Sequence, residues 1–380
     1  MYSRQASISL RFFIITLWAS NAFAGTILVK PSLTVNEMYD SNANYGNRDN
    51  QKGDFVSSVT PTIDFSNEGK GLALSGSYSL NSRYYSHEPE LGYTGHNGNI
   101  GIQLDLSQRS AISFSDLVSY SKDTRETDGI GIQTSRTGIL SNNATVALSH
   151  RLTGRTSLTL RGSDSFSKYD ESSLIDSRTD SGGIDLSRQL NSSRSVNASY
   201  TYTNFHFENR GGDDVHTQSF QIGLSEQFSS DISLTLSGGA VYSGEIGDKY
   251  DWTAQTSLSK KYEMSSIALA YSRGVATSSG LTDEITINDR GSLTFLQTLS
   301  KSMNLTISGG YAQSRSEPTG SVNVDSCDAT VRTDWRPSSW ISIGGGYSRF
   351  QQWVEGPQGT GLSRDLVSLS ITAYADGWRF

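Results

Sequence analysis

A two-residue rhythm runs through this chain from Ile27 to Phe380. At 72–84, Leu72, Leu74, Gly76, Tyr78, Leu80 and Tyr84 alternate with Ala73, Ser75, Ser77, Ser79 and Asn81. Successive strand side chains point to opposite faces, so this strand is aliphatic and aromatic on one face, small and polar on the other. The pattern returns at 100–106, 112–120, 158–166, 184–190, 196–202, 220–228 and 232–242, then at 252–262, 267–271, 293–299, 305–311, 329–335, 341–347 and 367–373. Weaker versions lie near 29–35, 59–65 and 140–148. No linker or change of composition interrupts the series. The expectation is one all-β domain over 25–380: a transmembrane antiparallel up-and-down β-barrel of about 18 strands, with 16 as the alternative, since bacterial single-chain barrels use even numbers.

Composition matters because it removes the competitors. The apolar fraction is 35% and the mean hydropathy −0.42. A helical membrane protein needs apolar runs of about 20 residues, and none follows the N-terminus. A disordered chain lacks aromatic and β-branched residues, whereas this one has 18 Tyr and 14 Phe. A barrel wall that alternates greasy and polar residues averages to mild hydrophilicity. The net charge of −7, without a basic stripe, disfavours nucleic acid. Cys327 is the only cysteine, so no internal disulfide forms, and a buried or lipid-facing structural thiol is expected.

Residues 1–24 read as a secretory signal. Arg4 and Arg11 are its positive region, Phe12, Phe13, Ile14, Ile15, Leu17 and Trp18 its short apolar core, and Ala22-Phe23-Ala24 its cleavage site, with the mature chain starting near Gly25.

Connections alternate between short and long. Short turns are expected at 67–70, 153–155, 191–193, 229–231, 300–302 and 336–338, and long ones at 40–53, 86–95, 122–137, 170–180, 272–284, 317–325 and 354–363. Short periplasmic turns and long external loops would put both termini in the periplasm, with the chain in the outer membrane of a Gram-negative cell. Aromatics gather at strand ends: Tyr84, Tyr85, Tyr120, Tyr169, Tyr202, Phe205, Tyr242, Tyr271, Tyr311, Tyr347 and Phe350 toward the outer rim, Phe228, Tyr262, Trp335 and Trp340 toward the other. The last strand alternates through Thr372, Tyr374, Asp376, Trp378 and Phe380. Tyr374, Trp378 and Phe380 resemble the C-terminal signature that outer-membrane barrels present to their assembly machinery. Asp116 is out of place on the apolar parity, and a bulge would re-aim it. Arg188, Glu226 and Lys260 share that parity close to turns, where snorkelling is cheap.

Nothing points to catalysis. His87, His96, His150, His206 and His216 lack metal-ligand spacing and read as solvated loop or rim imidazoles. No G-x-S-x-G elbow is present, and Gly238-Gly239, Gly309-Gly310 and Gly344-Gly345-Gly346 lie within strands, where they bend the sheet or open the lumen. No cofactor or metal is expected. The acidic residues Asp40, Asp49, Asp54, Asp123, Glu126, Asp128, Asp170, Glu171, Asp176, Asp180, Asp213, Asp214, Asp283 and Glu284, interleaved with Arg48, Lys52, Arg125, Arg178 and Arg210, read mainly as a solvated loop face. The sharper alternative is bridging by divalent cations to lipopolysaccharide. On the polar parity, Ser75, Ser77, Arg161, Ser199, Thr201, Thr235, Gln255 and Thr306 represent a lumen wall dominated by hydroxyls and amides rather than charge.

Tyr39-Asp40-Ser41-Asn42 after the first strand, Phe55-Val56 with Val59-Thr60-Pro61, and Leu74-Ser75-Gly76-Ser77-Tyr78 resemble β-barrel porins of the porin 2 type, a group that includes barrels associated with exopolysaccharide and PEP-CTERM gene clusters. The resemblance implies a non-enzymatic outer-membrane conduit for exopolysaccharide, with polysaccharide-export components as partners. The residues alone leave a general diffusion porin, or a structural or surface-binding barrel, equally open.

Overall fold

The computed structural model describes residues 26–47, 49–123, 132–133, 136–208, 214–244, 249–278, 280–355 and 361–380. The leader with its cleavage site, and Arg48, Arg125, Glu126, Asp128, Arg210 and Asp213, lie outside them. Eighteen long strands follow one another: β1 Ile27–Asp40, β2 Asp54–Gly69, β3 Leu72–Tyr85, β4 Tyr93–Ser107, β5 Ser110–Ser121, β6 Ile139–Arg151, β7 Thr156–Tyr169, β8 Ser177–Gln189, β9 Arg194–Phe207, β10 Val215–Gln227, β11 Ile232–Ser243, β12 Lys249–Lys261, β13 Ser265–Thr277, β14 Ile285–Ser300, β15 Met303–Glu317, β16 Asn323–Ser338, β17 Ile341–Glu355 and β18 Leu362–Tyr374. A two-residue piece, β19 Trp378–Arg379, completes the sheet. Each strand pairs antiparallel with the next, and β18 returns to pair with β1 from Ser32↔Tyr374 to Asp40↔Leu366. The sheet is therefore a closed antiparallel barrel of 18 strands in which every strand has two paired neighbours, the arrangement that satisfies backbone groups where water is absent.

Contacts between distant strands identify the inside. Arg364 of β18 reaches Asp123 beyond β5, and Gln133 lies against Gln352 of β17. Residues of the opposite parity face out, and the exposed large apolar side chains Leu33, Val35, Phe114, Val146, Leu160, Ile184, Leu186, Ile222, Leu258, Leu269, Ile307, Val331 and Ile371 lie there. Alternation thus builds an apolar outer band and a polar bore.

The outer aromatic rim divides. Tyr84, Tyr120, Tyr202, Tyr242, Tyr271, Tyr311 and Tyr347 carry the outward parity; Tyr85, Tyr169, Phe205 and Phe350 carry the inward one. Tyr85 and Phe205 are buried, because loops fold over the bore at that end and make an apolar inward side chain favourable. Outward tyrosines there donate to carboxylates: Tyr311 to Asp325 at 2.6 Å and Tyr347 to Asp365 at 2.6 Å. Each ring stays in the apolar band while its hydroxyl reaches the polar rim.

Asp116 is not re-aimed by a bulge. The registers on both sides of it run without a shift, Ile100↔Asp116 and Asp116↔Ala144, so it stays on the outer face. There it accepts a 2.5 Å hydrogen bond from Asn142 Nδ2, also outward. A donor brought in by the adjacent strand replaces the missing water. Of the turn-proximal charges, Glu226 pairs with Arg194 at 2.5 Å and Lys260 lies 4.9 Å from the Tyr262 ring centroid.

Short turns and long connections alternate as the sequence implies, and two of each kind escaped the sequence reading: turns at 108–109 and 262–264, longer links at 208–214 and 244–248. At the β2–β3 turn Gly71 has φ +74°, a conformation a Cβ disfavours. Inside the bore, a Cβ on Gly239 would lie 1.9 Å from the Phe220 carbonyl oxygen, so this glycine permits a close approach of strands.

The C-terminal alternation is interrupted. Thr372 and Tyr374 sit opposite Thr34 and Ser32 on the inner parity. After residues 375–377 the register steps by one, so that Trp378 meets Val29 and Phe380 exchanges backbone hydrogen bonds with Ile27, both outward positions. Tyr374 therefore faces the bore, whereas Trp378 and Phe380 face out. Cys327 lies outward between Tyr311 and Gln351 and is half-buried.

Candidate translocation pathway

The mid-barrel wall is built from cross-strand hydroxyl pairs. Ser119 meets Ser141 at 2.7 Å, Ser149 meets Thr159 at 3.0 Å, Ser163 meets Ser181 at 2.7 Å, Ser233 meets Ser259 at 2.7 Å and Thr34 meets Thr372 at 2.9 Å. Small inward side chains leave space for water, and their hydroxyls bridge strands where larger groups would fill the bore. Register gives Ser75, Ser77, Arg161, Ser199, Thr201, Thr235, Gln255 and Thr306 the inward parity. They are spread around the wall rather than gathered at one point. Arg161 holds Asp185 at 2.7 Å, Thr235 lies 3.4 Å from Ser225, Ser199 sits between Asp185 and Gln221, and Thr306 is opposite Arg332. The other mid-wall arginines also have acidic partners: Arg290 with Asp328 at 3.4 Å and Arg332 with Asp334 at 2.7 Å. Paired charges leave little net field along the wall.

The densest chemistry lies at the long-loop end and includes Asp40, Asp54 and Asp123, which the sequence reading assigned to a solvated loop face. Asp40, Asp54 and Asp123 are fully buried, and so is Arg364. Arg364 grips both oxygens of Asp40, with Nη2 to Oδ2 at 2.6 Å, and lies 3.2 Å from each oxygen of Asp123. Arg83 donates to Asp123 at 3.0 Å. The Tyr45 hydroxyl donates to Asp123 and accepts from Arg364 at 2.7 Å, while its ring lies 4.7 Å from the guanidinium. Two guanidiniums and two carboxylates thus form a charge-balanced, hydrogen-bonded network, the condition under which buried ions are tolerated. Tyr45 itself has φ +56°, rare for a residue with a side chain.

Neighbouring loop residues follow the same route inward. Arg136 donates to the Ala43 carbonyl at 2.6 Å and to the Tyr85 hydroxyl, with its guanidinium 4.4 Å from that ring centroid. The backbone N–H of Gln133 donates to Gln352 at 2.8 Å, and Gln352 donates back to its carbonyl at 3.0 Å. Gln133 and Asp123, both between β5 and β6 in sequence, therefore reach the wall at β17 and β18. Met38, Ala43, Val56, Tyr85 and Leu366 form an apolar cluster beneath it. A second cluster, Phe205, Phe207, Val215 and Ile285, packs under the tip of the β13–β14 hairpin, where Gly280 accepts a 2.9 Å backbone hydrogen bond from Ile175 beyond β7. Sequence parity marks Arg364, Arg83 and Asp40 as inward, and that was the only local signal. Arg364 lies 324 residues from Asp40 and 241 from Asp123.

On the outside of this end, Lys52 and Glu88 tie two connections together at 2.6 Å. The hydrogen bond Lys52 donates to Glu88 raises Lys52 above its ordinary pKa and holds Glu88 below its own. Four histidines hydrogen-bond a side chain, His87 to Asp54 at 2.9 Å, His96 to Tyr78 at 2.8 Å, His150 to Ser110 at 2.8 Å and His206 to Asp214 at 2.5 Å, and His216 stacks on Tyr202. Among the described residues no group of three or more His, Cys, Asp or Glu could hold a metal ion. At the short-turn end the bore opens into a polar concavity of about 640 Å³ lined by Arg151, Arg155, Ser195, Gln227 and Thr235, among others.

The chain matches the family described as "Putative beta-barrel porin 2" over residues 21–179, so the resemblance expected from its first strands is found there. No curated protein matches it significantly. Among solved structures it is similar to OccK2 (OpdF) of Pseudomonas aeruginosa, with 10% identity, 92% of this chain and 98% of that chain covered, and a TM-score of 0.49. It is similar also to OpdK of Pseudomonas aeruginosa, whose structure was solved with vanillate (8% identity, 92% and 99% covered, TM-score 0.49), and to OccAB4 of Acinetobacter baumannii (9%, 92% and 98%, TM-score 0.46). Closed strand architecture and family match make this a porin-like outer-membrane β-barrel.

Proposed function

We propose that this barrel is a diffusion channel for small hydrophilic solutes, narrowed at its long-loop end, with that end outside the cell and both termini in the periplasm. One observation carries the reading. A hydroxyl-lined bore is crossed at one end by the contacts Arg364–Asp123 and Gln133–Gln352, which link residues after β5 to the walls at β18 and β17. A neutral wall offers weak, exchangeable hydrogen bonds, which let a solute enter and leave. A polymer in export needs an unbroken bore, so these crossing contacts favour small molecules over exopolysaccharide. Among the described residues no grouping of three or more His, Cys, Asp or Glu could hold a metal ion, and the proposed diffusion calls for no cofactor. Lipopolysaccharide around the acidic rim, and the barrel assembly machinery at Trp378 and Phe380, are its expected partners.

Liposome swelling and planar-bilayer conductance test the proposal. Wild-type protein should pass pentoses and hexoses and exclude long dextrans, and Arg136→Ala/Gln352→Ala should raise both conductance and size limit. No permeation by either protein overturns the channel. Dextran passage through the wild type replaces it with a polymer conduit.

A further inference from the structure

The wall has one deep lapse among the described residues. The ladder between β12 and β13 runs from Lys261↔Ser266 to Ala254↔Arg273 and stops. β12 continues to Lys249, paired only with β11, and β13 continues to Thr277, paired only with β14. No backbone hydrogen bond joins 249–253 to 274–277. Above Arg273 the β13–β14 hairpin leaves the wall and bends into the bore. Ile285 is buried against Phe205, Phe207 and Val215, and Val275 packs on the same cluster. Beneath the hairpin, the inward side chains Thr217, Val241, Ser243 and Thr253 are buried as well. A Cβ added at Gly274, beside the lapse, meets nothing within 4 Å.

One side chain bridges the opening. Arg273 donates to both oxygens of Asp251 on β12, at 3.0 and 3.2 Å, and to Asp289 on β14. Its guanidinium lies 4.5 Å from the Trp252 ring centroid. Side-chain bonds replace the backbone pairing that closes the rest of the barrel, and side chains swing more readily than a ladder unzips. Trp252 and Tyr250 are exposed on the outer side, with rings suited to the boundary between lipid and headgroups. Just inside lies the apolar cluster under the hairpin. A path through this opening is apolar at both ends with polar groups between.

We propose that the opening between β12 and β13 is a lateral port through which a nonionic single-chain amphipath passes between the bore and the outer leaflet, with Arg273 as its latch. The chemistry of the cargo follows from the lining. An alkyl chain suits Trp252 outside and Phe205, Val215 and Ile285 inside. One arginine between two carboxylates leaves a net charge of −1 at the latch, which disfavours an anionic head. Neither the solute channel nor its mouth network takes part.

The test uses the full-length protein in proteoliposomes, with two cargoes: a fluorescent alkyl maltoside loaded in the membrane, and arabinose for swelling. In a Cys327→Ser background, Thr253→Cys/Gly274→Cys is joined by a short bifunctional thiol cross-linker across the opening. Cross-linking should reduce maltoside transfer to the protein-free rate and leave arabinose permeation unchanged. Arg273→Ala should raise maltoside transfer several-fold, again without changing arabinose. A cross-linked barrel that still transfers maltoside at its former rate overturns the port. So does a cross-link that lowers both cargoes in parallel, because both then use the axial bore. If Arg273→Ala does not assemble, the cross-linked pair, which keeps Arg273, still decides. Loss of arabinose permeation in the wild type would count against the channel alone.

Discussion

Arg364 and Asp40 meet in a two-pronged, fully buried ion pair that joins the last long strand of the barrel to the first. Arg364 also holds Asp123 and Tyr45, so the pair clamps loop residues as well as the wall. Arg364→Ala leaves two buried carboxylates without their main cation, a loss of about 3–5 kcal/mol. The variant should show a lower urea midpoint for unfolding from detergent or vesicles, together with larger single-channel conductance. Arg364→Gln combined with Asp40→Asn should recover much of the midpoint, since no charge is then stranded at that position. A wild-type midpoint for Arg364→Ala would show that the clamp bears no load.

The outward pair Asp116–Asn142 makes the opposite prediction. Asp116→Val replaces a lipid-facing acid with an apolar side chain and should stabilise the barrel by about 1–2 kcal/mol, acids costing less than bases on this face. Asn142→Ala removes the donor and should destabilise by about 1–2 kcal/mol, the usual cost of stranding one polar group. Equilibrium unfolding into urea from thin-bilayer vesicles measures both, and a stabilised Asn142→Ala would contradict the assigned face.

The alternation of faces can be read directly by thiol chemistry. In a Cys327→Ser background, Thr201→Cys should react with a charged, membrane-impermeant maleimide, and Tyr200→Cys only with a lipid-soluble one. Equal reactivity toward the charged reagent would mean that the two positions do not straddle the wall.

The exposed Lys52–Glu88 contact gives a pH prediction. Glu88 is depressed in the folded protein, so its contribution is complete above the ordinary carboxylate value, about 4.3, and is lost as pH falls through the lower folded value. Lys52 is raised, so its contribution is complete below its ordinary value, about 10.4, and is lost as pH climbs through the higher folded one. Hydrogen-exchange protection around residues 50–53 and 86–88 should therefore be flat between those limits, after correction for intrinsic rates. It should drop in acid, and Glu88→Gln should remove the acid-dependent step.

Much of the barrel was legible because one periodicity decides both faces of every strand. Leu158 and Leu160 against Thr159 and Arg161 leave a single way to lay β7 against lipid. That periodicity is silent where the surroundings change. Near the long loops, inward positions are no longer wet, so Met38, Val56 and Phe205 are apolar on the polar parity, and Asp40 and Asp123 are buried rather than solvated. Tyr85 and Phe205 read as rim aromatics for the same reason. The inward turn of the β13–β14 hairpin was hidden because the alternation ends at Tyr271, Arg273 falls on the apolar parity, and 272–284 read as a loop. What decides it is a contact with Ile175, remote in sequence. The bulge expected at Asp116 failed for a related reason: its partner, Asn142, sits on another strand at a position that looked like ordinary noise in a weak pattern.

Seventeen of the strand pairings join neighbours in the sequence, and the longest of their connections, between Ser121 and Ile139, is still short beside the whole chain. The pairing of β1 with β18 is different, because Thr34 and Thr372 stand 338 residues apart. The entropy of bringing remote segments together is therefore concentrated in a single step of assembly. Until that step is complete, the nascent sheet carries two bare flanks, each able to recruit a stranger. The Asp40–Arg364 bond and the final exchange between Ile27 and Phe380 lie at opposite ends of this one junction, so the ring is fastened at both rims by the residues that are last to find each other.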